Sequence, residues 1–456
     1  MDVASYTLMV FFCGLSTVNY RLNLALPDFL MENKRALALL FTSHVVSSFA
    51  QGITMLSIPW YFASIIHESV VFGQVLAFAT FISIFWSLFA GTLIDRYPRK
   101  NIFWIASVVG FVVLGTAGLY GEINQEAPIR LVAAIFVFTF FGFNIHYPNL
   151  YAFSQQLAAR GDYGRVNSMI EVLGQSTNVL SGAFGAILLS GTTGGAIDLL
   201  GFQISFPFEI EQWRIWEIFL LDASTYALAA CIIPFIKYVD HNPLPIDLDK
   251  IVERFKRGWQ FLMLNKQLLV FGLASYSIFV VLLVEVQFLL PIFVDNQLEA
   301  GADVYASSEV YFALGSLFAG FLIMKLTRNL APAKTVLLMM LIAGISFVVI
   351  AFTKSIIGFY LFSVLIGFSN AATRITRVTF LFNHIPNNII GRANSIFYIF
   401  NIASRGVFIT IFAMPFFSAS NNIIYSYMIC GGFILVSVIP LALVLQQLQT
   451  MKIRTE

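Results

Sequence analysis

Charged residues are scarce in this 456-residue sequence, at 11% of the chain, whereas hydrophobic residues make up 59%. A soluble domain carries about 25% charged residues, so the composition excludes a protein that folds in water alone. Only three cysteines occur (Cys13, Cys231 and Cys430), and their spacing fits neither a disulfide framework nor a metal site. No zinc, haem, nucleotide or Ser/His/Asp motif stands out. We therefore expect no cofactor, no enzyme activity and no nucleic-acid partner.

Long apolar runs dominate the chain instead. A helix that crosses a bilayer needs roughly 20 mostly apolar residues. About twelve such runs can be counted: 37–66, 70–94, 101–120, 129–151, 166–190, 214–236, 267–294, 307–326, 334–352, 356–380, 393–417 and 422–446. They are too long and too continuous for barrel strands, which alternate over about ten residues. The sequence therefore predicts an all-α integral membrane protein with twelve transmembrane helices.

A polar stretch at 238–266 divides the twelve runs six and six. Within it, Ile251, Phe255, Trp259 and Leu262 recur at helical spacing opposite charged residues, which is typical of an amphipathic helix on a membrane surface. We expect residues 1–30 to be a peripheral extension or a misassigned start; the alternative is a thirteenth span. We expect an N-terminal extension, a six-helix half, a linker, a second six-helix half and a tail: 1–35, 36–237, 238–266, 267–446 and 447–456.

The two halves repeat one another in sequence. The segment GRVNS at 164–168 opens the fifth run, and GRANS at 391–395 opens the eleventh. The same offset, within two residues, pairs Gly91 with Gly320 at the ends of the second and eighth runs. Repeated halves around a midplane site are typical of secondary transporters. We therefore expect two pseudo-symmetric six-helix halves.

The placement of lysine and arginine predicts how the chain lies in the membrane. If the first run starts in the cytoplasm, three basic residues fall outside: Arg130, Arg214 and Lys354. Nineteen fall inside: Lys34, Arg35, Arg96, Arg99, Lys100, Arg160, Arg165, Lys237, Lys250, Arg254, Lys256, Arg257, Lys266, Lys325, Arg328, Lys334, Arg392, Lys452 and Arg454. By the positive-inside rule, both termini are cytoplasmic.

The densest charge cluster of the first half lies between the second and third runs. Its residues Gly91, Asp95, Arg96, Arg99 and Lys100, with Leu93 and Pro98, resemble the Gly-x-Leu-x-Asp-Arg-x-Gly-Arg-Lys signature of the major facilitator superfamily, with proline in place of a glycine. The resemblance implies twelve helices and alternating access. We predict that Asp95 holds the inner gate shut when the outer side is open. The alternative is a solvated loop that fixes orientation.

The second half carries a partial copy of this cluster. Gly320, Lys325 and Arg328 are retained, but Met324 stands where the first half has its acid. The predicted gate is therefore one-sided.

Four ionisable residues inside the runs are candidates for a transport cavity, because a charge within a span usually faces a cavity or a partner. They are His44, Glu171, Glu285 and Arg405. A carboxyl group desolvated in a cavity can load and release a proton near neutral pH. Our hypothesis is that Glu285, Glu171 or both exchange a proton for substrate, with Arg405 setting the charge balance. His44 as a packed histidine and Glu171 as a structural partner are the alternatives.

For three further ionisable residues, a structural role is an alternative to a role in transport. We expect Asp222 to cap or pair near the outer surface. Arg374 and Arg377, three apart on the tenth run, either reach toward headgroups or line the cavity.

From about 31 to 446 the chain resembles the drug:H+ antiporter branch that contains macrolide-efflux and enterobactin-type siderophore exporters. Beside the 91–100 motif, Gly142, His146 and Pro148 carry this resemblance, whereas Thr139 stands where antiporters often have arginine. It implies a monomeric, proton-coupled exporter of an amphipathic small molecule in the cytoplasmic membrane. An importer or flippase of a lipid-like solute, or a non-transporting membrane sensor, remains open.

Overall fold

The structure, a computed structural model, describes residues 34–158, 162–192, 195–238 and 249–451. Residues 1–33 of the predicted extension, 239–248 of the linker and 452–456 of the tail lie outside these ranges. Within them, twelve helices are long and apolar enough to cross a membrane, as the sequence predicts.

Six of these helices form the first half: α1 (Lys34–Ile65), α2 (Ser69–Arg96), α3 (Arg99–Asn124), α4 (Ile129–Leu157), α5 (Tyr163–Ser190) and α6 (Ile215–Ile232). The linker helix α7 (Asp249–Leu264) follows. The second half contains α8 (Lys266–Asn296), α9 (Ala302–Asn329), α10 (Pro332–Ile350), α11 (Ile356–His384), α12 (Asn387–Phe412), the short α13 (Pro415–Ser418) and α14 (Ile423–Thr450).

Helices form because lipid offers no partner for backbone polar groups, which must bond within each span. The helix α8 contains a π turn at Glu285–Leu289, directly before Pro291. Proline has no N–H to donate, so a locally widened turn accommodates it. This irregular turn carries Glu285, one of the predicted site residues.

Close helix packing in the second half depends on glycine. A Cβ atom built at Gly315 of α9 would lie 2.1 Å from the carbonyl oxygen of Val364, and one at Gly367 of α11 would lie 2.1 Å from that of Phe312. Only glycine lets the two backbones approach this closely, as is common between membrane helices.

Contacts between the halves concentrate at one end of the bundle, which we call the sealed end; it carries the connections 66–68, 191–214 and 297–301. The Ser64 hydroxyl of α1 donates a hydrogen bond of 2.8 Å to Asp295 of α8. Trp60 stacks on Tyr305 of α9 at 5.4 Å between ring centroids. We call the opposite end, with the 97–98 loop and α7, the basic end.

A small β-hairpin covers the sealed end. Strands β1 (Ala196–Leu199) and β2 (Phe202–Ser205) pair antiparallel. The two turn residues, Leu200 and Gly201, have φ values of 57° and 74°, as a type I′ hairpin turn requires. The positions of the apolar runs predict no structure for residues 191–213 beyond a connection between two spans.

The turn of this hairpin bonds to the other half of the protein. The Leu200 N–H donates to the Ser307 hydroxyl at 3.2 Å, and the Tyr311 hydroxyl donates to the Leu200 carbonyl at 2.8 Å. Both partners lie on α9. We call these two bonds the clasp, because they tie a first-half loop to a second-half helix.

The predicted amphipathic segment is helical, as α7. Gly258 lies against Arg392 at the start of α12, where a Cβ would come within 2.8 Å. Leu262 is fully buried, whereas Trp259 is 45% exposed. The linker helix therefore packs against the basic end of the second half.

Candidate functional site

Two glutamates share one cavity in the second half. Glu285 lies in the π turn of α8, and Glu309 lies about two turns into α9. Both line a cavity between α8, α9 and α11, and they are close enough to interact electrostatically. Glu285 is 7% exposed and accepts a hydrogen bond of 3.2 Å from the Tyr427 hydroxyl of α14.

The polar groups that line this cavity are acceptor oxygens, and its other lining residues are apolar. The Ser308 hydroxyl donates to the Tyr305 carbonyl at 2.7 Å, and the Ser363 hydroxyl donates to the Phe359 carbonyl at 2.9 Å. Each hydroxyl hydrogen is thereby committed, so the serine oxygens can only accept. No lysine, arginine or histidine is among the residues that line the cavity. Its chemistry suits a proton or a cation.

The sequence did not predict Glu309, because the eighth apolar run starts at 307 and places this acid at the edge of the span. The helix in fact begins at Ala302, so Glu309 lies inside it. Asp303 in the first turn was the available signal, since acidic residues favour helix N-termini.

The predicted residue His44 pairs with a second histidine. Its Nδ1 lies 2.9 Å from Nε2 of His146 on α4 and 2.9 Å from the Ser48 hydroxyl. His44 is 1% exposed, and its Nε2 is buried without a hydrogen-bond partner. The pair links α1 to α4 inside the first half, far along the chain from either glutamate. Side-chain pairing of this kind between helices is not visible in one sequence.

Arg405 lies in α12 and is 8% exposed. Its Nε is buried without a partner, and so is Nδ2 of Asn401 one turn earlier. Tyr398, two turns away on the same helix, interacts electrostatically with Arg405. Glu285 bonds Tyr427 and forms no ion pair with Arg405 in the described part of the chain.

The two arginines of α11 differ in environment. Arg377 is buried, donates a hydrogen bond of 3.1 Å to the Ser275 carbonyl and lies 3.7 Å from the centroid of the Tyr276 ring. Arg374 is exposed. Of the two alternatives for this pair, contact with headgroups does not hold for Arg377, because a backbone carbonyl and an aromatic face satisfy it inside the bundle.

Residues of the charged segment 91–100 connect to α4 and to the end of α6 at the basic end of the first half. Arg99 donates to the Ala152 carbonyl at 2.5 Å. Lys100 donates to the carbonyls of Pro234 and Ile236, both at 2.8 Å, just beyond α6. Cations near helix C-termini satisfy free carbonyls and complement the helix dipole. These contacts give Arg99 and Lys100 a structural role.

The remaining predicted residues fall into two groups. Gly91, Arg96 and Lys325 are exposed near the basic end. The side chains of Asp95, Glu171 and Arg328 lie outside what the structure describes.

Asp222 is fully buried in α6, and the Thr54 hydroxyl of α1 donates to its Oδ2 at 2.8 Å. Its Oδ1 is buried without a partner. The expectation that Asp222 pairs near the outer surface is wrong, because its partner lies in the interior between α1 and α6.

Comparison with known proteins agrees with this architecture. The family model described as Major Facilitator Superfamily matches residues 40–408. No curated protein sequence matches the chain.

Several solved structures share the fold at low sequence identity. A bacterial homologue of the iron transporter ferroportin, in an inward-facing state, has a TM-score of 0.69 at 12% identity, covering 91% of this chain and 99% of that one. An inward-facing, unoccupied bacterial homologue of the human lysosomal transporter spinster has a TM-score of 0.68 at 12% identity, covering 93% and 99%. An auto-inhibited peptide transporter of the POT family has a TM-score of 0.67 at 12% identity, covering 92% and 98%.

Proposed function

The chain belongs to the major facilitator superfamily of secondary transporters, and on that premise we propose that it exports an amphipathic small molecule, a drug or a siderophore-like metabolite, in exchange for protons. It works as a monomer in the cytoplasmic membrane with both termini in the cytoplasm. The excess of basic residues on one set of loops supports this orientation.

The cavity shared by Glu285 and Glu309 is the observation that carries the proton coupling. Two negative charges in one desolvated cavity repel each other, and no basic side chain lines it to offset them. A proton on one carboxyl group relieves this repulsion. The Tyr427 hydroxyl donates to Glu285, so the two carboxyl groups differ in their hydrogen-bond partners. Glu171 is the corresponding candidate in the first half.

Transport into everted membrane vesicles tests this proposal. Vesicles energised to a proton gradient should accumulate labelled erythromycin or labelled enterobactin above vesicles that lack the protein. Glu285→Gln and Glu309→Gln should abolish the gradient-driven part, because glutamine cannot exchange a proton. Glu126→Gln, in an exposed loop, is the matched control. Gradient-driven uptake that survives in both cavity variants and in Glu171→Gln would remove carboxylate coupling.

The same vesicles address the alternatives. Accumulation of a fluorescent phospholipid in place of both labelled compounds would favour a flippase. Uptake in right-side-out vesicles only would favour an importer. No gradient-dependent movement of any probe would favour a membrane sensor.

We propose in addition that Asp95 latches the basic end when the sealed end opens, with Arg96 or Arg99, or groups near Arg392, as its partners. Asp95→Asn should change both the transport rate and the labelling rate of a single cysteine at the basic end. If neither changes, the 91–100 motif is only an orientation signal.

A further inference from the structure

Arg405 is a buried cation for which the described part of the chain supplies no counter-ion. It is 8% exposed, and no hydrogen bond or ion pair to another described residue satisfies its guanidinium. Arg377, by comparison, has the Ser275 carbonyl and the Tyr276 ring. An uncompensated buried charge is strongly destabilising, so a chain keeps one mainly where something else supplies the opposite charge.

A second unsatisfied donor lies beside it. Asn401 is 1% exposed, and its Nδ2 has no hydrogen-bond partner. Residues four apart on a helix share a face, so the Asn401 amide and the Arg405 guanidinium are neighbours along α12. Two buried donors with nothing to donate to form a site for a group that is rich in acceptor oxygens. The carboxyl oxygens of Glu285 and Glu309 do not accept from these two donors, because the cavity that holds them is lined by α8, α9 and α11 and not by α12.

We infer that Arg405 and Asn401 bind the anionic group of the transported molecule, which is therefore an organic anion such as a carboxylate or a sulfonate. This inference rests on the proposed transport function and names the class of its substrate. A planar guanidinium matches the two oxygens of a carboxylate, and charge-assisted hydrogen bonds of this kind are the strong ones.

The surroundings of Arg405 suit an aromatic or apolar body behind the anionic group. Tyr398 lies on the same face of α12, two turns toward the basic end, and is 41% exposed. It therefore offers an accessible ring next to a buried charge. Tyr276 of α8 interacts with Tyr398 and stacks on Phe397, with ring centroids 5.8 Å apart. The exposed ring of Tyr398 can therefore pack against a planar apolar group while the guanidinium binds the anion.

The first half supplies an apolar wall opposite this site. Phe81 of α2 packs directly on Gly406, the residue after Arg405. Phe85 and Phe89 follow one and two turns further toward the basic end on the same side of α2, and they are 74% and 54% exposed. The halves therefore meet at Gly406. We place the charge of an amphipathic anion at Arg405 and its apolar body toward Tyr398 and these two phenylalanines.

Binding to the purified full-length protein tests the inference without any transport step. The probes are 2-naphthoate, 2-naphthamide and 2-naphthylmethylamine, which share one aromatic body and differ in charge. Equilibrium dialysis should show tight binding of the carboxylate only. Arg405→Gln should weaken this binding at least about tenfold, because a hydrogen bond to a charged group is lost. Arg405→Lys should lose less, and Arg130→Gln, an exposed arginine at the start of α4, should lose nothing.

Thermal melting without any ligand separates a binding role from a structural one. If Arg405 is unpaired until an anion binds, Arg405→Gln removes an unpaired buried charge. The melting temperature of this variant should then equal or exceed that of the wild type. A lower melting temperature, or 2-naphthamide binding as tightly as 2-naphthoate, would overturn the inference. The binding experiment and the vesicle experiment can fail separately. Selective anion binding without gradient-driven export would contradict only the proposed direction or proton coupling. Gradient-driven export without selective anion binding would contradict only the proposed class of substrate.

Discussion

The clasp between the β-hairpin and α9 should control how often the sealed end opens. Alternating access requires the two halves to separate at this end, and the hairpin turn of the first half is bonded to the second half at Leu200. Tyr311→Phe removes the donor to the Leu200 carbonyl, and Ser307→Ala removes the acceptor of the Leu200 N–H. Neither change alters the packing volume by more than one oxygen atom.

The magnitude follows from the two hydrogen bonds. One neutral hydrogen bond contributes about 1 kcal/mol net, so the double variant should lose about 2 kcal/mol from the closed state. Since 1.4 kcal/mol is about a factor of ten in an equilibrium constant, the ratio of open to closed protein should rise about 30-fold. A sealed end that is open in about 1% of molecules would then be open in about a quarter of them.

Distances across the sealed end measure this shift. Spin labels at Glu126→Cys and Lys354→Cys lie on exposed connections of the first and second halves, in a background without Cys13, Cys231 and Cys430. Double electron–electron resonance in lipid nanodiscs should show one distance in the wild type. The double variant should add a second, longer distance.

Tyr120→Phe is the matched control, because this tyrosine is 43% exposed near the same end of α3. A distance distribution that is unchanged in the double variant, or changed equally by Tyr120→Phe, would refute a role of the clasp in closing the sealed end.

Two further predictions concern stability, measured as melting temperature in detergent. Thr54→Val removes the hydroxyl that donates to the buried Asp222 and should lower the free energy of unfolding by about 1–3 kcal/mol. The control is Thr116→Val, which should cost little because the Thr116 hydroxyl bonds only to carbonyls of its own helix. Equal losses of stability in the two variants would contradict the role of the Thr54–Asp222 hydrogen bond. Gly367→Ala places a methyl group 2.1 Å from the Phe312 carbonyl oxygen and should cost about 1–3 kcal/mol. The control is Gly432→Ala, which should leave the melting temperature unchanged because no atom lies within 4 Å of a Cβ built at Gly432. Equal melting temperatures for the Gly367 and Gly432 variants would refute the close packing of α9 and α11.

The twelve spans could be predicted from the sequence because membrane insertion depends on local composition. Each run had to be about as long as the bilayer is thick, and each could be counted without knowing its neighbours. The linker helix α7 could be predicted for a similar reason, since Trp259 and Leu262 recur at helical spacing. The two-residue turn at Leu200-Gly201 was missed, because its strands are four residues long and carry little pattern of their own.

The candidate site was only partly predictable. Glu285 and Arg405 stood out because ionisable residues are rare within apolar runs. Glu309 did not, because the predicted start of the eighth run at residue 307 placed it at the edge of the span, whereas α9 begins at Ala302. His44 stood out, but its partner His146 is 102 positions away. Partners at such distances depend on which helices meet, and composition does not encode that.

The sequence by itself determined that this chain is a helical membrane protein in two repeated halves, since lipid dictates helices wherever apolar residues run long enough. Only the tertiary structure decided what the ionisable residues contact. It brought Glu285 and Glu309 into one cavity and gave Arg377 a carbonyl and an aromatic ring. Among the described residues, it left the buried Nε of Arg405 without a hydrogen-bond partner. The physical reason is that the cost of a buried charge depends on its neighbours in space, and helix packing alone selects those neighbours.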